Sequence, residues 1–90
     1  MLRVGTVGTS SIMRTIQEAI RLTDGMECRV VYSRTKEQGR AFAAEMGVPE
    51  HCTDYAAMLE RSDLDLIDIA SPNRFHAEQA LAALEHGKHV

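Results

Sequence analysis

Ninety residues with a net charge of −3, 44% hydrophobic and 26% charged, allow one globular domain. That charge offers no electrostatic footprint for nucleic acid or an anionic membrane. No apolar run exceeds five residues, too short to cross a bilayer or to form the core of a secretory leader. Cys28 and Cys52, with no CxxC spacing, suit reduced thiols and so a cytoplasmic protein.

Strands and helices alternate along the chain. Residues 2–7 are apolar at alternate positions and stopped by Gly8, which predicts a strand. From Ser10 onward Ile12, Ile16, Ala19 and Ile20 form an apolar stripe at helical spacing, closed by Asp24 and Gly25. Residues 28–33 (CRVVYS) are β-branched and predict a second strand. Thr35 or a neighbour caps a helix running through Phe42 and Met46, which Gly47 and Pro49 end. Residues 51–53 suit a very short strand, and Asp54 an N-cap for a helix over 55–60. Residues 64–70 (LDLIDIA) predict the next strand. Ser71 and Pro72 begin a helix with Ala77, Ala80, Leu81 and Leu84 on one face, stopped by Gly87, and residues 88–90 open a fifth strand.

Parallel neighbours need a crossover, and a helix between each pair of strands supplies it. With right-handed crossovers the expected fold is α/β, a doubly wound, Rossmann-like parallel sheet of order 3-2-1-4-5, cut off after the start of the fifth strand. Its ligand crevice lies at the carboxyl ends of the first and fourth strands, where strand order reverses. Two loops face it, 8–12 and 70–76, and both carry unusual polar chemistry.

The first loop holds one glycine of a G-x-G-x-x-G turn: Gly8, Thr9, Ser10, Ser11, Ile12, Met13. Gly8 can make the tight turn. Ser10 sets a side chain where backbone should approach a pyrophosphate, although its hydroxyl can donate to one, and Met13 should push the helix slightly off the sheet. The free N–H groups of Thr9, Ser10, Ser11 and Ile12 and the positive end of the helix dipole would still attract an anion. The alternative is a serine-capped helix with no ligand. At the end of the second strand an acid would mark NAD, but Ser33 and Arg34 stand there, with Lys36 behind and no carboxylate before Glu37. A guanidinium suits the 2'-phosphate of NADP, with NAD as the alternative, and Ser33 could add a hydroxyl donor.

In the second loop Ser71 and Asn73 flank a proline at a helix start, where capping is their plain role, and His76 one turn on can be solvated or packed. Asp68, late in a central strand, must either pair or reach the rim. Residues 8–12 (GTSSI) lack the second glycine of a nucleophile elbow, and no Walker-type loop is present. His86 and His89 have HxxH spacing, but Gly87 breaks the helix between them and no further ligands complete a metal site.

The segments VGTVGTSSI, VVYSRTKEQGRAFAAEMGV and DLIDIASPNRFHAEQALAALEHGKHV resemble the N-terminal half of the glucose-fructose oxidoreductase, inositol dehydrogenase and MocA family over residues 2–90, most specifically at 69–76 and 87–90. The resemblance implies that residues 1–90 form the dinucleotide-binding domain of an NAD(P)-dependent oxidoreductase acting on a sugar, polyol or related hydroxyl compound. It assigns Ala70, Ser71, Asn73 and His76 to the ribose and nicotinamide end of the cofactor. It places the catalytic lysine and the substrate domain beyond Val90, so the ninety residues alone should bind cofactor without turnover and should self-associate through the open sheet edge. The competing expectation is a non-catalytic module for assembly or sensing, whose altered loop no longer binds dinucleotide.

Overall fold

The computed structural model describes residues 2–70 and 73–90, with side chains in the last helix described from residue 77 onward. Strands β1 (Leu2–Val7), β2 (Met26–Tyr32), β3 (Glu50–Cys52) and β4 (Leu66–Ile69) alternate with helices α1 (Ser11–Leu22), α2 (Lys36–Met46), α3 (Tyr55–Leu59) and α4 (Asn73–Glu85). The sheet is parallel, in the order β3-β2-β1-β4. His89 continues it beyond β4 through a parallel bridge to Leu66, where residues 88–90 were expected to open the fifth strand. Among the described residues no helix is long and apolar enough to cross a membrane.

Local chemistry accounts for the boundaries. Ser10, Thr35 and Asp54 each accept a hydrogen bond from the backbone N–H three residues on, satisfying a donor that has no partner within the helix. Gly47 and Gly87 take the left-handed conformation just past α2 and α4, which glycine adopts without steric cost.

The two faces of the sheet carry separate cores. Met13, Val31, Phe42, Ala43 and Val48 pack beneath α1 and α2. Val7, Val30, Met58, Leu59, Leu64, Ile67 and Ala83 pack beneath α3 and α4. One register shift interrupts the β1–β2 pairing: Val4 pairs with Cys28 but Gly5 with Val30, so Arg29 is an extra residue on β2.

Two helix faces differ from those expected. In α1 the buried residues are Met13, Gln17 and Ile20, while Ile12 is 66% exposed, so the apolar stripe read from spacing lies to one side of the true seam. A polar side chain occupies that seam because it is satisfied there: Gln17 Nε2 donates to Thr6 Oγ1 at 2.9 Å and to Cys28 Sγ at 3.3 Å. Met13, in the third fingerprint position, is fully buried and fills the space between helix and sheet. In α4 it is Ala83 that is fully buried, whereas Leu81 and Leu84 are 59% and 58% exposed. Small alanines let that helix approach the sheet and turn its leucines outward.

Just before β4 an ion pair joins the amino ends of the neighbouring strands β1 and β4. Arg3 Nε donates to Asp65 Oδ2 at 3.0 Å and Nη2 to Oδ1 at 3.1 Å, while the Arg3 backbone N–H also reaches Oδ2 at 2.9 Å. The guanidinium bonds, then the backbone bond, hold the Asp65 carboxyl down to about 2. A carboxyl whose pKa is depressed by folding stabilises the fold above its ordinary value and loses that contribution as pH falls. Denaturant midpoints of the wild type should therefore decline between about pH 4 and pH 2 more steeply than those of Asp65→Asn. Parallel declines would show that the pair carries no linkage.

Candidate functional site

The carboxyl ends of the strands are stitched at one level. Ser33 N–H donates to Cys52 O, Gly8 N–H to Tyr32 O and Ala70 N–H to Val7 O, each at 3.0 Å. Gly8, with φ 112°, turns the chain out of β1 straight into α1. These stitches place the ends of β1, β2 and β4 around a cavity of about 340 Å3, lined by Val7, Gly8, Thr9, Ser10, Tyr32, Ser33, Arg34, Gln38, Ala70 and Gln79. A second cavity, of about 400 Å3, lies at the other end of β2 between the C-terminal ends of α1 and α2. Open α/β sheets bind ligands at the carboxyl ends, which singles out the first.

One side of that cleft suits an anion. The first intrahelical bond of α1 runs from Arg14 N–H to Ser10 O at 3.1 Å, so the Ser11 and Ile12 N–H groups precede it. Ser10 Oγ caps by accepting from Met13 N–H at 3.4 Å. Capping uses a lone pair and leaves the hydroxyl proton free to donate, so cap and anion ligand are compatible at Ser10. The loop thus offers an N–H cradle, a hydroxyl and the positive end of a twelve-residue helix to a pyrophosphate.

The opposite side is shaped by the β2–α2 turn. Arg34 is exposed and lines the cleft. Ser33 is 4% exposed, and its hydroxyl donates to Thr35 O. That single proton is committed, so the donor role toward a 2'-phosphate expected of Ser33 is already spent inside the turn. Behind the cleft Tyr32 packs on Tyr55 with ring centroids 5.4 Å apart. Tyr55 donates its hydroxyl to Gln79 O at 2.7 Å. Burial, then the neighbouring Tyr32, pushes the Tyr55 phenol up to about 12, so it stays protonated and serves as a strut.

The cleft therefore brings together Gly8, Thr9, Ser10, Ser33, Arg34 and Ala70 from among the expected residues. Ser11 and Ile12 open α1 just past the loop and are not among the residues lining the cleft, and each carries a backbone N–H ahead of the first intrahelical bond. Ser71 lies outside the described residues; Asn73 and His76 fall in the first turns of α4, with side chains that also lie outside them. Tyr32, Gln38 and Gln79 line the cleft without having been foreseen. Gln38 could have been found, since it lies three residues past the Thr35 cap and its N–H donates to Thr35 Oγ1 at 3.3 Å. Gln79 could not, because the face of α4 was misjudged.

Asp68 sits beside Thr6 across the β1–β4 ladder, on the α1 face and outside the cleft lining. Burial raises its carboxyl pKa. Burial also raises the Cys28 thiol, outweighing the bonds from Gln17 and Thr6, which disfavours its thiolate form. Among the described residues no three His, Cys, Asp or Glu side chains converge as a metal site.

Comparison with known proteins agrees with this geometry. Residues 2–90 match the family described as an oxidoreductase family with an NAD-binding Rossmann fold. The chain is 34% identical over 90 residues to a scyllo-inositol 2-dehydrogenase (NADP(+)) of Bacillus subtilis, covering all of this chain and 27% of that protein. Among solved structures, biliverdin reductase of Synechocystis in complex with biliverdin and NADP+ superposes with a TM-score of 0.90 at 30% identity, covering 99% of this chain and 28% of that one. Levoglucosan dehydrogenase in complex with NADH and levoglucosan superposes with a TM-score of 0.87 at 27% identity, covering 98% of this chain and 26% of that one. The chain thus spans about a quarter of the length of the relatives it matches. With the strand order, the loop between β1 and α1 and the match over residues 2–90 in agreement, the chain belongs to the Gfo/Idh/MocA oxidoreductases as their NAD(P)-binding Rossmann domain.

Proposed function

We propose that this chain binds NADP(H) as the cofactor domain of a longer oxidoreductase acting on a sugar, polyol or related hydroxyl compound. One observation supports the reading: the turn at Gly8, Thr9 and Ser10, which leads into the N-terminus of α1, lines the same cleft as Arg34. On this reading Gly8 makes the turn, Ser10, Ser11 and Ile12 hold the pyrophosphate, and Arg34 takes the 2'-phosphate. Ala70, Ser71, Asn73 and His76 border the nicotinamide end. The bound cofactor supplies the hydride chemistry, and the chain supplies binding and orientation. The family resemblance gives proton transfer to a lysine of the whole enzyme. The names of the relatives, which include scyllo-inositol and levoglucosan dehydrogenases, support the substrate class.

Calorimetric titration of the full chain with NADPH and NADH tests the reading. Saturable binding, tighter for NADPH, is expected; binding of neither would favour a non-catalytic module. The free thiols Cys28 and Cys52 support a cytoplasmic setting. Exposed Leu81, Leu84 and Val90 support pairing of two copies of the chain. Light scattering should show mass rising with concentration; a constant monomer mass would exclude it.

A further inference from the structure

We infer that Ser33 is a positioning residue that clamps the β2–α2 turn and so presents Arg34 to the cleft, and that Gly39 leaves the room this clamp needs. The inference rests on the reading of Arg34 as the 2'-phosphate ligand. Both neighbours of Arg34 are fixed from the protein side. Ser33 N–H is bonded to Cys52 O of β3 at 3.0 Å. The Thr35 carbonyl accepts from the Ser33 hydroxyl and from Gly39 N–H at 3.1 Å. Thr35 also caps α2. Arg34 is thus suspended between two anchored peptide units, so its backbone is held in place before any ligand arrives. A long cationic side chain held this way loses less freedom on binding than one carried by a mobile loop.

Gly39 is buried in the first turns of α2, against this clamp. A Cβ there would lie 2.5 Å from Ser33 Oγ, 3.4 Å from Ser33 Cβ and 3.5 Å from His51 Cβ. Only the first of these contacts is prohibitive, and it involves the hydroxyl that makes the clamp. An alanine at 39 must therefore drive the hydroxyl off Thr35. The sequence offers no hint of this, since Ser33 reads there as a phosphate donor.

The two roles of Ser33 predict opposite behaviour for Gly39→Ala. If the hydroxyl positions Arg34, Ser33→Ala and Gly39→Ala should each weaken NADPH binding by about tenfold and leave NADH within about twofold. The double variant should be no worse than either single one, because both remove the same clamp. Ser33→Ala should add nothing in an Arg34→Ala background. If Gly39→Ala does not fold, Ser33→Ala and the double variant, which lacks the 2.5 Å contact, carry the comparison. Weaker NADPH binding in Ser33→Ala together with unchanged or tighter binding in Gly39→Ala would overturn the clamp, showing a displaced hydroxyl that itself binds phosphate. Equal weakening of both cofactors would overturn it as a general structural effect. A wild type that prefers NADPH, with variants that leave that preference unchanged, would overturn the clamp alone; a wild type that binds neither cofactor, or both equally, would overturn the reading of Arg34 as well.

Discussion

Arg34→Ala should cost NADPH roughly tenfold to a hundredfold in affinity while NADH changes by less than about threefold. The size follows from the group lost. A guanidinium meets a phosphate with two parallel, charge-assisted hydrogen bonds worth about 1.5 to 3 kcal/mol, at about 1.4 kcal/mol per decade of affinity. NADH offers a neutral 2'-hydroxyl at that point and so loses at most stacking of the guanidinium on adenine. The position is right: Arg34 lies two residues past the end of β2 and lines the cleft. The first acid after it, Glu37, lies in the opening turn of α2. Arg34→Lys keeps the charge without the fork and should fall between wild type and alanine. Paired titrations with both cofactors decide the matter. Equal wild-type affinities, or a ratio that Arg34→Ala leaves alone, would show that Arg34 does not select the phosphate.

Met13→Ala should destabilise the fold by about 2 to 5 kcal/mol, whereas Ile12→Ala, one residue earlier, should stay within about 0.5 kcal/mol. Met13 is fully enclosed and packs with Val31, Phe42, Ala43 and Val48. Truncating it removes buried methylene and sulfur contacts and leaves a cavity that a sheet cannot easily collapse. Ile12 leaves most of its surface in water already. The loss is severe against the 5 to 15 kcal/mol typical of a whole domain, so the variant should unfold at a markedly lower denaturant concentration. NADPH at about 100 times its dissociation constant should restore roughly 2.7 kcal/mol by mass action. Comparable midpoints for the two variants would mean that α1 is seated on its apolar stripe instead.

That contrast also marks how far the sequence could be read. The starts of α1, α2 and α3 and the ends of α2 and α4 were legible because they are set by local chemistry: serine, threonine and aspartate caps at 10, 35 and 54, and left-handed glycines at 47 and 87. Strand order followed from alternation, and the place of the cleft followed from strand order. Helix rotation was not legible. Periodicity counts apolar residues, and α1 buries a glutamine whose amide is satisfied by Thr6 and Cys28, partners 11 residues away on either side. In α4 the leucines that dominate any hydrophobicity count point outward, and the alanines that touch the sheet are nearly silent in such a count. The hydroxyl of Ser33 was legible as chemistry but not as geometry, because its acceptor is a carbonyl that only the folded turn brings within reach.

The register shift at Val4 and Gly5 bears on how β2 tolerates changes of length. Cys28 and Val30 already pair with successive residues of β1, and Arg29 is looped out between them. Its Nε is the one buried side-chain nitrogen or oxygen among the described residues that has no hydrogen-bond partner. Removing Arg29 would join two neighbours whose side chains already point to opposite faces, so the alternation downstream would be kept. Removing Val31 would not: Tyr32 and Ser33 would swap faces, and the end of the strand would be carried inside out. A one-residue deletion in this strand is therefore absorbed at residue 29, while the stretch from Val30 to Arg34 must keep its length for the cleft to keep its wall.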